Sequence, residues 1–237
     1  MLAKTKNPSN MPLLNLGLGV ILIFLCWPSA KMGLANLNFY TTHQLTEQWR
    51  LAGQIQDTRS FDRALLAIQK ANQLHPHNPY YLITQALVYE WGGVENLPNS
   101  EKDYLNQARA YYLEAVKKRP SWPVTWATLA ILKWRLGELD QQMIDYLLQA
   151  EKFGPNKPEV HEAWLEIGLY LYQQKSPLTP QVIRGLRRHL RLMLLQYSGR
   201  ATAIKIIERH KAQQISCRWI MGYPLKQHAT IEQLCKG

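Results

Sequence analysis

The chain has 237 residues, 46% of them apolar and 10% aromatic, which is enough to bury a core in one or two domains and excludes wholesale disorder. Most of its formal charge of +11 lies at one end: residues 175–237 hold twelve Lys/Arg against two acids, residues 43–174 hold thirteen against fifteen, and the first 42 residues add three lysines. Basicity placed this way points to one face meeting something anionic, not to general solubility.

Residues 1–10 form a short head whose only charges are Lys4 and Lys6. Residues 11–27, MPLLNLGLGVILIFLCW, are an apolar run that would span roughly 25 Å as a helix, close to a hydrocarbon core of about 30 Å. Behind a basic head, residues 11–30 fit a signal-anchor or a signal peptide. Gly33-Leu34-Ala35 offers a small-residue cleavage pattern, so a cut leader and a retained anchor both fit. Leu25 is too large to precede a lipoprotein cysteine, so Cys26 is not expected to be lipidated. The two head lysines favour a cytoplasmic N-terminus, with Lys31 weighing the other way. The expected address is the inner membrane, single-pass, with the body in the periplasm.

The body repeats. FDRALLAIQKANQLHP and LNQARAYYLEAVKKRP agree position by position: Ala64 with Ala108, Ile68 with Tyr112, Ala71 with Ala115 and Pro76 with Pro120. Trp126, Leu129 and Ala130 stand six residues beyond Pro120 at the W-x-x-L-[GA] spacing that opens a tetratricopeptide unit. Leu82, Gln85 and Ala86 take those places in the preceding unit, and Leu51, Ala52 and Ile55 in the first. A third stretch, LDQQMIDYLLQAEKFGP, ends alike at Pro155 but reads as degenerate, with Gln142 at the alanine place and one extra residue before Ala150. A fourth unit opens at Trp164, Ile167 and Gly168, out of phase by three. Residues 92–102 read as an exposed insertion loop. These positions are packing positions: small residues let helices approach, large ones fill the groove, and proline stops the helix. The expected fold is all-α, a tetratricopeptide-like helical-hairpin solenoid over residues 43–196, with a hydrophobic N-terminal helix and a basic helical cap over residues 197–237.

Within QVIRGLRRHLRLMLL, Arg184, Arg187, Arg188 and Arg191 share about a quarter of a helix circumference, opposite Val182, Ile183, Leu186, Leu190, Met193 and Leu194. Such a stripe is the solvated face of a closing helix or a binder of phosphate or carboxylate. Acidic glycan, anionic lipid and an acidic partner protein all suit it. Nucleic acid does not fit an exported chain without a recognition motif. In the tail, Ala203, Ile204 and Ile207 are placed to cover the end of the array. Cys217 and Cys235, 18 residues apart, could bridge in an oxidising compartment, at a gain of about 3 kcal/mol, or remain two buried thiols.

No phosphate loop, nucleophile elbow or H-E-x-x-H occurs, and His75 and His77 flank a helix-ending proline without ligand partners nearby. No enzyme activity, cofactor or metal is expected. The leader, the repeats centred on SWPVTWATLAILKWRLGELDQQ, the Gly154-Pro155 ending and the basic tail together resemble the VpsP-type proteins of bacterial exopolysaccharide biosynthesis. The resemblance implies an accessory scaffold for proteins that assemble or export a surface polysaccharide. It brings no catalytic residues with it.

Overall fold

The computed structural model describes residues 11–95, 100–195, 197–220 and 234–235. Among them are ten helices and no strand: α1 Met11–Ala52, α2 Thr58–Leu74, α3 Pro79–Val94, α4 Glu101–Lys118, α5 Pro123–Arg135, α6 Gln141–Phe153, α7 Pro158–Gln173, α8 Thr179–Leu195, α9 Tyr197–Arg209 and α10 Gln213–Ile220. They pair in chain order as antiparallel hairpins, α1 with α2 through α7 with α8, and the odd-numbered helices line the inner side. This is a tetratricopeptide-like helical solenoid.

The repeat is clearest in the turns. At the ends of α2, α4 and α6, residues His75, Arg119 and Gly154 share one non-helical conformation, with φ of −140°, −140° and −151° and ψ of 73°, 71° and 64°, and each N–H donates to an alanine carbonyl, of Ala71, Ala115 and Ala150. A proline follows each of these residues and stops the helix, and a second, Pro79, Pro123 or Pro158, starts the next where its missing N–H costs nothing. Asn78 caps α3 by accepting from the Tyr80 N–H, while α5 and α7 start without a side-chain cap.

Ala64, Ala71, Ala86, Ala108, Tyr112, Ala115, Leu129, Ala130 and Trp164 are buried, Trp126 is half-buried with its indole N–H donating to the Pro120 carbonyl, and Pro76 and Pro120 sit exposed in the turns. Gly168 is buried against Leu186, whose Cβ would lie 3.0 Å from an added methyl.

Three sequence expectations are corrected. The third unit has no extra residue: Met143, Leu147, Ala150 and Pro155 repeat the spacing of Ala108, Tyr112, Ala115 and Pro120, and Met143 and Leu147 are fully buried. Gln142 is exposed and accepts from Lys133 instead. The first unit packs through Thr42, Leu45 and Trp49, because α1 stops at Gly53 (φ +72°), leaving Leu51 78% exposed and Ala52 outside the core. Both ends of the 92–102 stretch belong to helices: α3 runs to Val94, with Gly92 and Gly93 buried, and α4 starts at Glu101. An added Cβ at Gly92 would stand 2.8 Å from the Tyr104 ring, so the bare backbone is what lets that ring close over it. Residues 96–99 lie outside the described residues.

The N-terminal helix is continuous with the array. Residues 15–34 of α1 are almost wholly exposed, including Leu16, Ile21, Leu22, Phe24, Leu25 and Trp27, whereas Ala35, Thr42, Leu45 and Trp49 are buried with Phe61, Ala64, Ile68 and Ala71. The Thr42 hydroxyl donates to the Ala64 carbonyl at 3.0 Å and the Trp49 indole N–H to the Ser60 hydroxyl at 3.2 Å. From Asn15 onward α1 is long and apolar enough to cross a membrane, with mean hydropathy 1.7 in its most apolar window. Residues 1–10 lie outside the described residues.

Candidate functional site: the concave groove

The inner helices enclose a cavity of about 560 Å³. Its floor is apolar, from Ile83 and Leu87 on α3 and Val124 and Ile131 on α5, with Ile206 of α9 opposite. Its walls are charged in opposite senses. Glu159, Glu162 and Glu166 come from α7, and Lys205 and Arg209 from α9.

These charges are not equally available. The Glu166 carboxylate accepts from the Arg209 guanidinium and lies 2.7 Å from His210 Nε2, and this cluster fastens α9 to α7. Glu159, Glu162 and Lys205 have no ion-pair partner among the described residues. Burial raises the Glu162 carboxyl above the usual range, and the neighbouring charges of Glu159 and Glu166 add to the rise. A cation brought here would relieve that cost. On the α3 side, Glu90 is raised by burial although it accepts from the Tyr112 hydroxyl at 2.6 Å and pairs with Arg135 at 3.3 Å. These contacts hold Glu90 in place at the groove end.

The structure divides the four arginines of α8. Arg188 pairs with Glu151 at 2.6 Å, the Arg187 guanidinium lies over the Trp219 ring at 5.1 Å, and Arg191 donates to the Arg187 carbonyl. Arg184 alone of the four is exposed with no such contact among the described residues. On the opposite face Val182, Leu186, Leu190, Met193 and Leu194 are buried.

Between α7 and α8 lies a pair absent from the sequence reading. His161 and His189 are both fully buried, their Nδ1 atoms 2.6 Å apart, with Trp164 stacked on the His189 ring. At that separation one ring donates and the other accepts, so the pair is neutral. Burial holds both below the usual histidine value, His189 at about 3, helped by the neighbouring His161 and Arg188. Trp164 in turn rests on the backbone of Gly185, where an added Cβ would stand 2.7 Å from its Cη2.

At the end of the array, α9 packs on α7 and α8, and the short α10 touches both α8 and α9. Ala203, Ile206 and Ile207 are buried against Leu165, Leu186 and Leu190, and Ile204 is half-buried. Cys217 is disulfide-bonded to Cys235, with Cα atoms 5.7 Å apart, and Cys26 is exposed. Residues 221–233 and 236–237 of the expected cap lie outside the described residues.

The groove residues were within reach of the sequence. Around Trp126 they fall two before, two after and five after, at Val124, Thr128 and Ile131, and around Trp164 two before and two after, at Glu162 and Glu166. The i, i+4, i+3 succession puts them on one face beside the packing face.

No family model and no curated protein matches this chain. Solved structures do. The MamA protein is 17% identical, with 79% of this chain and 96% of that chain covered at a TM-score of 0.43. A monomeric mutant of IFIT1, solved with the capped RNA m7Gppp-AAAA, is 16% identical, with 84% of this chain covered at a TM-score of 0.53. This chain spans 45% of the IFIT1 chain, and what the likeness establishes is the helical-repeat fold.

Proposed function

We propose that this chain is a membrane-anchored, exported scaffold that holds a segment of a partner protein in its concave groove, as an accessory component of bacterial exopolysaccharide assembly. The observation that carries the scaffold reading is the groove itself. An apolar floor between walls of opposite charge, with Glu159, Glu162 and Lys205 free of ion pairs among the described residues, suits an extended or helical segment bearing apolar side chains and a basic residue. Support for the anchor is the exposed apolar half of α1 behind a basic head. Under this reading the periplasmic body would present its groove to partners outside the cytoplasm. The polysaccharide setting is supported by the resemblance to VpsP-type proteins.

Photo-crosslinking groups placed in the native host at Ile131, on the groove floor, and at Leu148, exposed on outer helix α6, test it. Adducts with polysaccharide-assembly proteins are expected from Ile131 and not from Leu148. Equal adducts from both, or adducts only with proteins of other pathways, would overturn it.

The arginines of α8 carry a second, narrower reading, favoured by the exposed, unpartnered Arg184: contact with an acidic glycan or anionic lipid. Binding that weakens steeply with salt and is lost when Arg184, Arg187, Arg188 and Arg191 become glutamine would support it.

A further inference from the structure

The anchor has a direction, and the direction selects one edge of the array. Helix α2 runs back along α1, pairing Ser60 with Trp49 and Ala64 with Thr42, and Ala71 joins the same core cluster as Ala35. The end of α2 therefore lies beside residues 31–35, and the exposed apolar half of α1 projects beyond the edge formed by the α2–α3 and α4–α5 turns.

That edge is built of aromatic rings and cations. Contacts run outward from α1: Phe39 against Tyr81 at 5.3 Å, then, from the adjoining Tyr80, Tyr80 against Trp122 at 5.9 Å, then the Arg119 guanidinium 3.9 Å over the Trp122 ring and 5.6 Å from Tyr80. Tyr80 is 45% exposed, and Lys118 is exposed, with Glu114 one turn back on α4 close enough for the ammonium to help lower its carboxyl. Lys117 pairs only with exposed Glu114. From Ala115 to Gly137 the sequence holds no acid, and the Trp126 hydrogen bond to Pro120 fixes the turn. The acids Glu95, Glu101, Asp103, Glu138 and Asp140 sit at the opposite edge, where α3 meets α4 and α5 meets α6.

We propose that the Tyr80–Arg119–Trp122 cluster, with Lys118, is a docking surface for the anionic phospholipid headgroups of the bilayer that α1 enters. The proposal rests on the anchor reading above. Trp27 and Lys31, the latter 5.8 Å from the Trp27 ring, mark the membrane interface on α1. From Lys31 to Phe39 the helix rises about 12 Å. The headgroup layer takes up about 5–7 Å of that distance, and a basic patch feels anionic lipid within a Debye length of about 8 Å. Tryptophan and tyrosine favour that layer, and arginine and lysine add attraction to negative headgroups.

The test uses the full chain in lipid nanodiscs, either phosphatidylcholine alone or equimolar with phosphatidylglycerol, with amide hydrogen exchange read over residues 116–126. Exchange is expected to slow several-fold in the anionic discs, and the slowing to vanish at high salt and in a Lys118→Gln, Arg119→Gln double variant that stays in the disc. Equal exchange in both disc types, with the chain inserted, would overturn the docking surface and leave the anchor standing. Equal protection by soluble inorganic phosphate in neutral discs would overturn lipid as the partner. A chain that enters neither disc sinks the anchor reading itself.

Discussion

The first and fourth hairpins solve one packing problem with different chemistry. In the first, α1 meets α2 through Thr42 and Ala64, and a hydroxyl-to-carbonyl hydrogen bond seals the closest approach. In the fourth, α7 meets α8 through Gly168 and Gly185, and the space is filled by Trp164 stacked on one of two buried histidines. The first arrangement contains no buried titrating group among those contacts. The fourth does, so the same architecture should respond to acid at one end and not at the other.

The largest effect is expected from Trp164→Ala, a loss of about 3–5 kcal/mol from deleting a fully buried indole. Because repeat arrays lose cooperativity when a junction weakens, hydrogen exchange resolved by hairpin is the measurement, with α7–α9 opening before α1–α2. Equal opening at both ends would erase the contrast between them.

Acid comes next. His189 has its folded value depressed from 6.5 to about 3, and His161 is lowered too, so the unfolded chain takes up protons first. Stability from this pair is fully present above pH 6.5 and is lost as pH falls from there toward 3. Between pH 6.5 and 5, before most carboxylates titrate, protection factors, which remove the intrinsic slowing of amide exchange by acid, should fall in α7 and α8 and stay level in α1 and α2.

Smaller still is Gly185→Ala, which brings a methyl against Trp164 and should cost about 1–3 kcal/mol by thermal denaturation. Ala64→Gly, its counterpart in the first hairpin, should cost about 1 kcal/mol through helix propensity. Thr42→Val removes the hydroxyl while keeping its shape, and a loss of about 1 kcal/mol confined to α1–α2 would sharpen the comparison. Arg184→Gln is expected to leave stability unchanged within about 0.5 kcal/mol, since an exposed, unpartnered cation contributes little.

The small-residue spacing and the paired prolines made the hairpins legible, because close helix approach and helix termination are local rules written in residue types. The third unit was misread for the same reason. Methionine can fill the place of an alanine when the neighbouring helix gives it room, and only the buried pattern of Met143, Leu147 and Ala150 restores the register. The first unit was misplaced because α1 extends ahead of the array, so its packing residues precede the glycine that ends it. The His161–His189 pair left no trace in sequence, since their separation of 28 positions is bridged only by folding. The arginine stripe was visible as periodicity, but its pairing with Glu151 and Trp219 depends on neighbours that periodicity does not name.

Pro28 lies inside α1, seven residues before the helix enters the core at Ala35. It removes a backbone hydrogen bond where the helix has no other element beside it, so bending concentrates there. With the apolar half of α1 held in a bilayer, as proposed above, the body would pivot as one stiff arm about a point close to its base, and the opening of the groove would sweep a cone instead of tumbling on a tether.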